Sequence, residues 1–562
     1  MVNSEEFKPD KLTVRQVLTD SYNFYTIPEY QRPFKWREKH IERFIRDIKE
    51  SMDTGGYFIG SIILVKKTDG YDIIDGQQRL TTLLLIFSAF YHKYGSGELK
   101  KCLVDEELNR SRIRISPRID QRNEFQEGFL AKIRKGEEPD EYGSNVFSKY
   151  YHITKKLLSE NEVYDEKKSA TDYYKYLLDN VNLIRIITDS EGSAVKLFYV
   201  MNTTGTSLSS DEVIKVILYD GLSDRDRETF MGSWREIEKI QKQLQILWDP
   251  FSELDRIFTL YSYYYLVEKP KTLVYDVYKK MRDKGEDPLK IIYKVKHFAE
   301  SLLELNKEHL KDDKYVTDDR VLYPFYYLYD TVYWQVILAT AIDVGYTSFS
   351  DLVQELFRLY YLNWIAGHNT ANVGEISIRI LKLVKDNKPI HQIVTITEEK
   401  IKDDNLEKQA FENLDKDVYV DTPKSWLRAV LSLIEYNLYD DSGTNYIEEV
   451  GKSAPSIDHI LPREWKNVDY WTKKWVEGDV KEAIYKLGNL TYISLSKNEK
   501  ERNLDFISKR DYFAGSTGNA KSTRYKLNDS IIRYQDWDHQ AFSERQKWML
   551  ESLRQILKPP NL

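Results

Sequence analysis

Cysteine is nearly missing from this sequence of 562 residues, where Cys102 stands alone. One thiol excludes an internal disulfide and any zinc site built from several thiolates, and it suits a reducing, cytoplasmic setting. Metal chemistry must then come from Asp, His and Asn. Long apolar runs are scarce too. The opening MVNSEEFKPDKL lacks the apolar centre of a signal peptide, and the most apolar long stretch, VLYPFYYLYDTVYWQVILATAI, is broken by Pro324, Asp330 and Gln335. Neither a signal peptide nor a membrane span is expected. No GxxxxGK[ST] phosphate loop occurs, so any nucleotide hydrolysis needs a different pocket. Positive charge is not in excess: 83 basic residues face 90 acidic ones, and at net −7 any DNA contact must be a local patch. No fixed-period repeat is visible, which argues against a solenoid.

What is present describes a globular protein of several domains. Hydrophobic residues make up 41% and charged ones 31%, a balance that excludes wholesale disorder and fibrous classes. At about 150 residues per domain the length predicts three or four domains with sizeable cores. The boundaries we expect are 1–221, 222–446 and 447–562.

The first segment carries a polar joint between a strand and a helix. YFIGSIILVKK (Tyr57 to Lys67) and YDIID flank an Asp-Gly turn and read as a hairpin. From Gln77 onward, Leu80, Leu83, Leu84, Phe87 and Phe90 recur at helical spacing. Asp75-Gly76 therefore sits where a strand becomes a helix, with Asp75 expected as the cap and Gly76 free to take a positive φ. The first amides of such a helix attract an anion; Arg79 could add bidentate phosphate contacts, and Gln77 or Gln78 could hydrogen-bond oxygen. A capped helix with three solvated polar residues would look the same. Upstream, IPEYQRPFKW (Ile27 to Trp36) is kept extended by two prolines and precedes an amphipathic helix over 37–52. Two polar turns with an arginine, each leading into a helix, are expected to converge on one pocket.

The middle segments, among them LDRIFTLYSYYYLVEKP, FSDLVQELFRLYYLNWIAG and VGEISIRILKLVKDN, have three-and-four apolar spacing and read as an all-helical bundle. Their tyrosines suit core packing more often than base stacking. His368 is a lone histidine with no assigned role.

The last segment holds SIDHILPREW (Ser456 to Trp465) and KLGNLTYISLSKNEKERNLDFISKRDYF (Lys486 to Phe513). Alternation along the short strand SIDHILP turns Asp458 and His459 to opposite sides, one toward a metal and the other toward a reacting water. GNLTYISL is a second strand. A helix is expected to start at Ser496 and carry Asn498, Glu501 and Asn503. Two strands and a helix with these residues form a ββα-metal arrangement suited to phosphodiester hydrolysis, in which oxygen ligands hold a hard cation, Mg²⁺ or Mn²⁺, and a neutral imidazole takes a proton from water.

IPEYQRPFKW, YFIGSIIL and DIIDGQQRLTTLLLI together resemble the ParB-like, sulfiredoxin-related domain of the GmrS half of GmrSD-type restriction systems, and LFYVMNTTGTSLSSDEVIKVIL resembles that family's later block. The resemblance covers about the first 220 residues. It implies nucleotide (NTP) binding and hydrolysis and the sensing of modified DNA, with Gln31, Arg32, Asp75, Gly76, Gln77, Gln78 and Arg79 around the pocket and Asn202 as a weaker addition. The last segment resembles the HNH nucleases, and within them the GmrD-type subgroup. That resemblance implies His459 as general base, Asp458 as metal ligand, Asn489 as the residue orienting the His-bearing strand, and Asn498 or Asn503 as a further ligand. Lys509 is a candidate phosphate contact.

The expected architecture is thus α+β and multidomain: a ParB-like domain, an all-α bundle and an HNH domain. Two functions follow. One is a modification-dependent restriction endonuclease in anti-phage defence, sensing modified phage DNA, an NTP or both, and cutting with the HNH domain. The other is a non-cleaving, nucleotide-regulated DNA-binding regulator. Homo-oligomerisation is left open, and no membrane partner is expected.

Overall fold

A computed structural model describes residues 8–20, 23–28, 31, 34, 36–115, 123–140, 145–189, 194, 197, 210–220, 222–247, 253–305, 325, 327–328, 332–438, 456–493, 504–514 and 525–560. The architecture is α+β and predominantly helical. Where three segments are expected from sequence, the chain divides into two compact units: Met1–Arg235 with Thr272–Tyr293, and Glu236–Lys271 with Lys294–Leu562.

The first unit is organised on one mixed sheet. Its strands are β1 (Lys8–Thr13), β2 (Tyr25–Ile27), β3 (Tyr57–Lys67), β4 (Gly70–Asp75), β5 (Ile113–Ile115) and β6 (Val181–Thr188), in the order β1-β6-β3-β4-β2-β5. β3 and β4 form the expected antiparallel hairpin, while β3 pairs with β6, and β2 with β4 and β5, in parallel. Parallel pairing needs long crossovers, and helices supply them. The helix α1 (Glu38–Ser51) turns Ile41, Phe44, Ile45 and Ile48 into the core, and α2 (Gln77–Tyr94) buries nearly its whole length. A helix apolar on most sides belongs in the middle of a core. Both helices occupy the stretches expected from the sequence.

The expected middle helices appear at Asp255–Leu266, Val332–Asp343, Phe349–Ile365 and Gly374–Lys385 in the second unit, and at Pro288–Leu305, whose first residues, through Tyr293, belong to the first unit. Gln354, on the helix Phe349–Ile365, donates to the Ile556 carbonyl at 3.0 Å and so ties that helix to the C-terminal part of the chain. Buried Glu435, on the helix Leu427–Asn437, accepts hydrogen bonds from the amides of Lys526 (2.7 Å) and Leu527 (2.6 Å). His368 is occupied locally, its Nε2 lying 3.0 Å from Gln409 Oε1. Strands β7 (Ser456–His459) and β8 (Leu490–Ile493) pair antiparallel, with His459 opposite Leu490 and Asp458 opposite Thr491. They are followed by helices α3 (Phe506–Phe513) and α4 (His539–Ile556). Ser496, where a helix is expected to begin, lies outside the described residues; Leu504 and Asp505 are not helical, and α3 starts after them at Phe506. Asp505 Oδ1 accepts the Ser508 amide at 2.7 Å and caps that start, as a short carboxylate does at a helix N-terminus. Among the described residues, no helix is long and apolar enough to cross a membrane.

Candidate functional site

In the first unit the joint is built around Gly76, which takes φ 96° and ψ 2° between the end of β4 and the start of α2. A Cβ there would lie 2.4 Å from Ile62 Cγ2 on top of the left-handed backbone, so only glycine serves. Gly76 is itself the N-cap position, and this corrects the expectation that Asp75 caps the helix. Asp75 remains in the strand opposite Ile63, and its Oδ2 takes Arg79 at 3.0 Å. The same guanidinium donates to the Ile59 carbonyl at 3.0 Å.

The two polar stretches do meet. Gln31 Nε2 donates to the Ile74 carbonyl at 3.0 Å, and Gln78 Oε1 accepts the Trp36 amide at 3.1 Å. Gln77 is buried beside them. Arg32 and Asn202 lie outside the described residues. The joint thus combines a helix N-terminus, whose first amides have no acceptor within the helix, with an arginine already engaged by Asp75. An anion bound here must share that guanidinium with Asp75.

Arg79→Ala should therefore do two things. It should weaken nucleotide binding, and it should lower stability by about 1–3 kcal/mol, because the half-buried Asp75 carboxylate and the Ile59 carbonyl lose their partner. Calorimetric titration and thermal melts of parent and variant would measure both. If the parent binds neither nucleotide nor DNA through this joint, the turn is a capped helix only.

In the second unit, Asp458 and His459 end β7 and are both buried, at 7% and 8% exposure. Lys509, on α3, is fully buried and donates to Asp458 Oδ2 at 3.0 Å and to the His459 carbonyl at 2.6 Å. This corrects the expectation that Lys509 touches phosphate: α3 turns Phe506, Lys509 and Phe513 inward, and a lysine enclosed there neutralises a carboxylate. The His459 ring lies 5.0 Å from the Tyr419 ring and 6.3 Å from the Tyr485 ring. Its Nε2 is buried and, among the described residues, makes no hydrogen bond. Burial lowers the imidazole pKa to about 3, with the Arg463 and Lys509 charges pushing the same way and a hydrogen bond to the Tyr419 backbone opposing them. The ring is therefore neutral at neutral pH.

Asn489, fully buried in the Gly-Asn turn before β8, braces the chain just after His459. Its Oδ1 accepts the Leu461 amide at 2.8 Å, its carbonyl accepts the Ile460 amide at 2.9 Å, and its Nδ2 donates to the carbonyls of Leu461 and Ile484, each at 3.0 Å. These bonds fit the orienting role implied for it. Behind the turn stands Arg545 on α4, fully buried, donating to the carbonyls of Gly488 (2.6 Å) and Leu490 (2.9 Å) and to Ser530 Oγ (2.9 Å). Burial pulls its pKa down to about 9, which still leaves it charged at neutral pH. Gly488 is a close approach: a Cβ would meet Gln546 Cα at 2.8 Å. Arg545→Ala should cost about 3–5 kcal/mol, from the cavity and from the carbonyls left without a donor. A denaturant melt tests this, and a variant as stable as the parent would show that the turn does not depend on the clamp.

Sequence reasoning missed Tyr419, Tyr485 and Arg545, since aromatics and a basic residue in amphipathic segments carry no sign of where they pack. Asn498 and Asn503, the alternatives for a further ligand, lie outside the described residues, as does Glu501. Among the described residues no three His, Cys, Asp or Glu side chains gather as a metal cage. Mg²⁺, however, is commonly held by one or two carboxylates together with substrate phosphate and water. Asp458 fits that mode, because Lys509 takes its Oδ2 and no hydrogen bond reaches its Oδ1 among the described residues.

Comparison with known proteins bears on both units. Residues 14–219 match the family model described as GmrSD restriction endonuclease, N-terminal domain. Residues 400–552 match that described as GmrSD restriction endonucleases, C-terminal domain, a span that includes Tyr419 as well as the Asp458-His459 pair. No curated protein matches the chain.

Proposed function

The chain belongs to the GmrSD-type restriction endonucleases and carries both their N-terminal and C-terminal domains, and from that premise we propose that it is a modification-dependent, metal-dependent nuclease of anti-phage defence in the cytoplasm. In this reading the ParB-like N-terminal sheet domain senses modified DNA, an NTP or both, and the HNH-like C-terminal centre cuts. A restriction endonuclease acts on DNA; the finer assignments are ours. The observation that carries the cutting site is the neutral, buried His459 with its orphaned Nε2, next to Asp458 and braced by Asn489.

The hydrolysis is written on these residues. The oxygen of a water forms a bond to phosphorus, the bond from phosphorus to the leaving sugar oxygen breaks, and the water's proton passes to His459 Nε2. In the tautomer protonated at Nδ1, Nε2, which has no partner among the described residues, is the acceptor. Asp458, through Oδ1, would hold a hard divalent ion that supplies Lewis-acid polarisation of the phosphate. DNA phosphate arriving near Arg463 offsets part of the positive field that holds the imidazole pKa down, so the base strengthens when substrate binds. Asn498 or Asn503 is proposed as a further ligand, and Gln31, Arg32, Asp75, Gly76, Gln77, Gln78 and Arg79 as the N-terminal pocket. Support for that pocket is the meeting of Gln31, Trp36 and Gln78 at the start of α2.

A non-cleaving, nucleotide-regulated DNA-binding regulator is the second reading, favoured by one observation: Lys509 already neutralises the carboxylate that a metal would need. Plasmid nicking on modified and unmodified DNA, with Mg²⁺ or Mn²⁺ and with and without NTP, separates the two. Cutting that favours modified DNA and changes with NTP is expected. Absence of cutting on every substrate leaves the regulator.

A further inference from the structure

Four residues beyond His459, Arg463 is exposed and yet fixed in place. Its guanidinium carbon sits 4.9 Å from the centre of the Tyr419 ring and 5.7 Å from that of Tyr485, the same two rings that flank the His459 imidazole. One of its nitrogens donates to the Tyr419 carbonyl at 3.3 Å. Among the described residues it has no carboxylate within ion-pair distance and makes no other hydrogen bond. An arginine planted over aromatic rings, with most of its donors unspent, is pre-organised for an anion, and the planar fork of donors suits phosphate oxygens. The chain between His459 and Arg463 cannot drift, because Ile460 and Leu461 are tied to Asn489.

We propose that Arg463 contacts a non-bridging oxygen of the phosphodiester on which His459 acts, and that it stabilises the charge gathering there as water attacks. Tyr419 and Tyr485 are positioning residues that hold the guanidinium and the imidazole against one another. The proposal rests on the nuclease reading of this centre and names a group within it that touches the reacting phosphate. A guanidinium over tyrosine is also common surface packing, so the test must read contact with phosphate and not only activity.

Arg463→Ala and Arg463→Lys are compared with the parent for cutting and for DNA binding at several salt concentrations, with a thermal melt of each. Both variants should melt as the parent does. Arg463→Ala should lose about 10²-fold in kcat, as for removal of one donor to a developing charge. The slope of log affinity against log salt should fall by about one, the signature of one lost phosphate contact. Arg463→Lys should recover the slope, since it restores the charge, but only part of the rate, since it lacks the fork. Cutting and salt slope both unchanged in Arg463→Ala overturn the proposal. So does a fall in rate with an unchanged slope, because Arg463 would then act only through the packing of His459. If the parent itself cuts no DNA, the nuclease reading fails, and the salt slopes alone decide whether Arg463 meets phosphate.

Discussion

His459→Ala should cut DNA about 10²–10⁴-fold more slowly than the parent, while binding DNA about as well and turning over nucleotide as before. The rate loss follows from removing His459 Nε2, a buried nitrogen that has no partner among the described residues. Ground-state binding should survive, because the imidazole is only 8% exposed and turns its rings' company, not a charge, toward the substrate. Nucleotide turnover should survive because the Asp75–Arg79 joint lies in a unit with its own core. His459→Asn serves as a companion variant that keeps the pocket between Tyr419 and Tyr485 partly filled, so a folding defect in the alanine form does not decide the matter. Plasmid cleavage and NTP hydrolysis are measured side by side. If a folded His459 variant loses hydrolysis as thoroughly as cleavage, the two activities share one site or are obligatorily coupled, and the division of labour between the units is wrong.

The parts of this molecule that could be read from the sequence are those written in local spacing. The β3–β4 hairpin and α2 stood out because the apolar period switches from two to about three and a half across Asp75-Gly76, and the structure puts strand, turn and helix there. The convergence of the two polar stretches was legible for the same reason, since each ends in a periodic helix. What the sequence did not show is long-range. β6 pairs with β1 and β3 across more than a hundred residues, and no local pattern announces a partner at that distance. The cap at Gly76 was misread because an aspartate before a helix usually caps it, whereas here the strand register claims Asp75 and Arg79 claims its carboxylate. Lys509 and Arg545 were hidden for a simpler reason. A charged residue in an amphipathic helix is normally on the wet face, and only the three-dimensional packing reveals that these two point inward.

EDTA should abolish cutting by the parent, and Mg²⁺ or Mn²⁺ should restore it. Among the described residues there is no thiolate or carboxylate cage to retain an ion against a chelator, so a metal held mainly by Asp458, water and phosphate must exchange freely. Asp458→Asn should cut at least as poorly as His459→Ala, but its defect has two sources that must be told apart. The substitution removes a ligand oxygen, and it also removes the charge that Lys509 balances, leaving a fully buried ammonium beside the His459 carbonyl. Breaking a buried ion pair from one side costs about 3–5 kcal/mol, so Asp458→Asn should also melt earlier. Asp458→Asn combined with Lys509→Met removes both charges and should recover much of that stability. If Asp458 serves only to anchor Lys509, the double variant should regain cutting along with stability, and the parent should cut in EDTA. If Asp458 holds the ion, the double variant should be stable and inactive, and excess Mn²⁺ should do little for it. Robust cleavage in EDTA would remove the metal from this centre and leave the charge on the phosphate to Arg463.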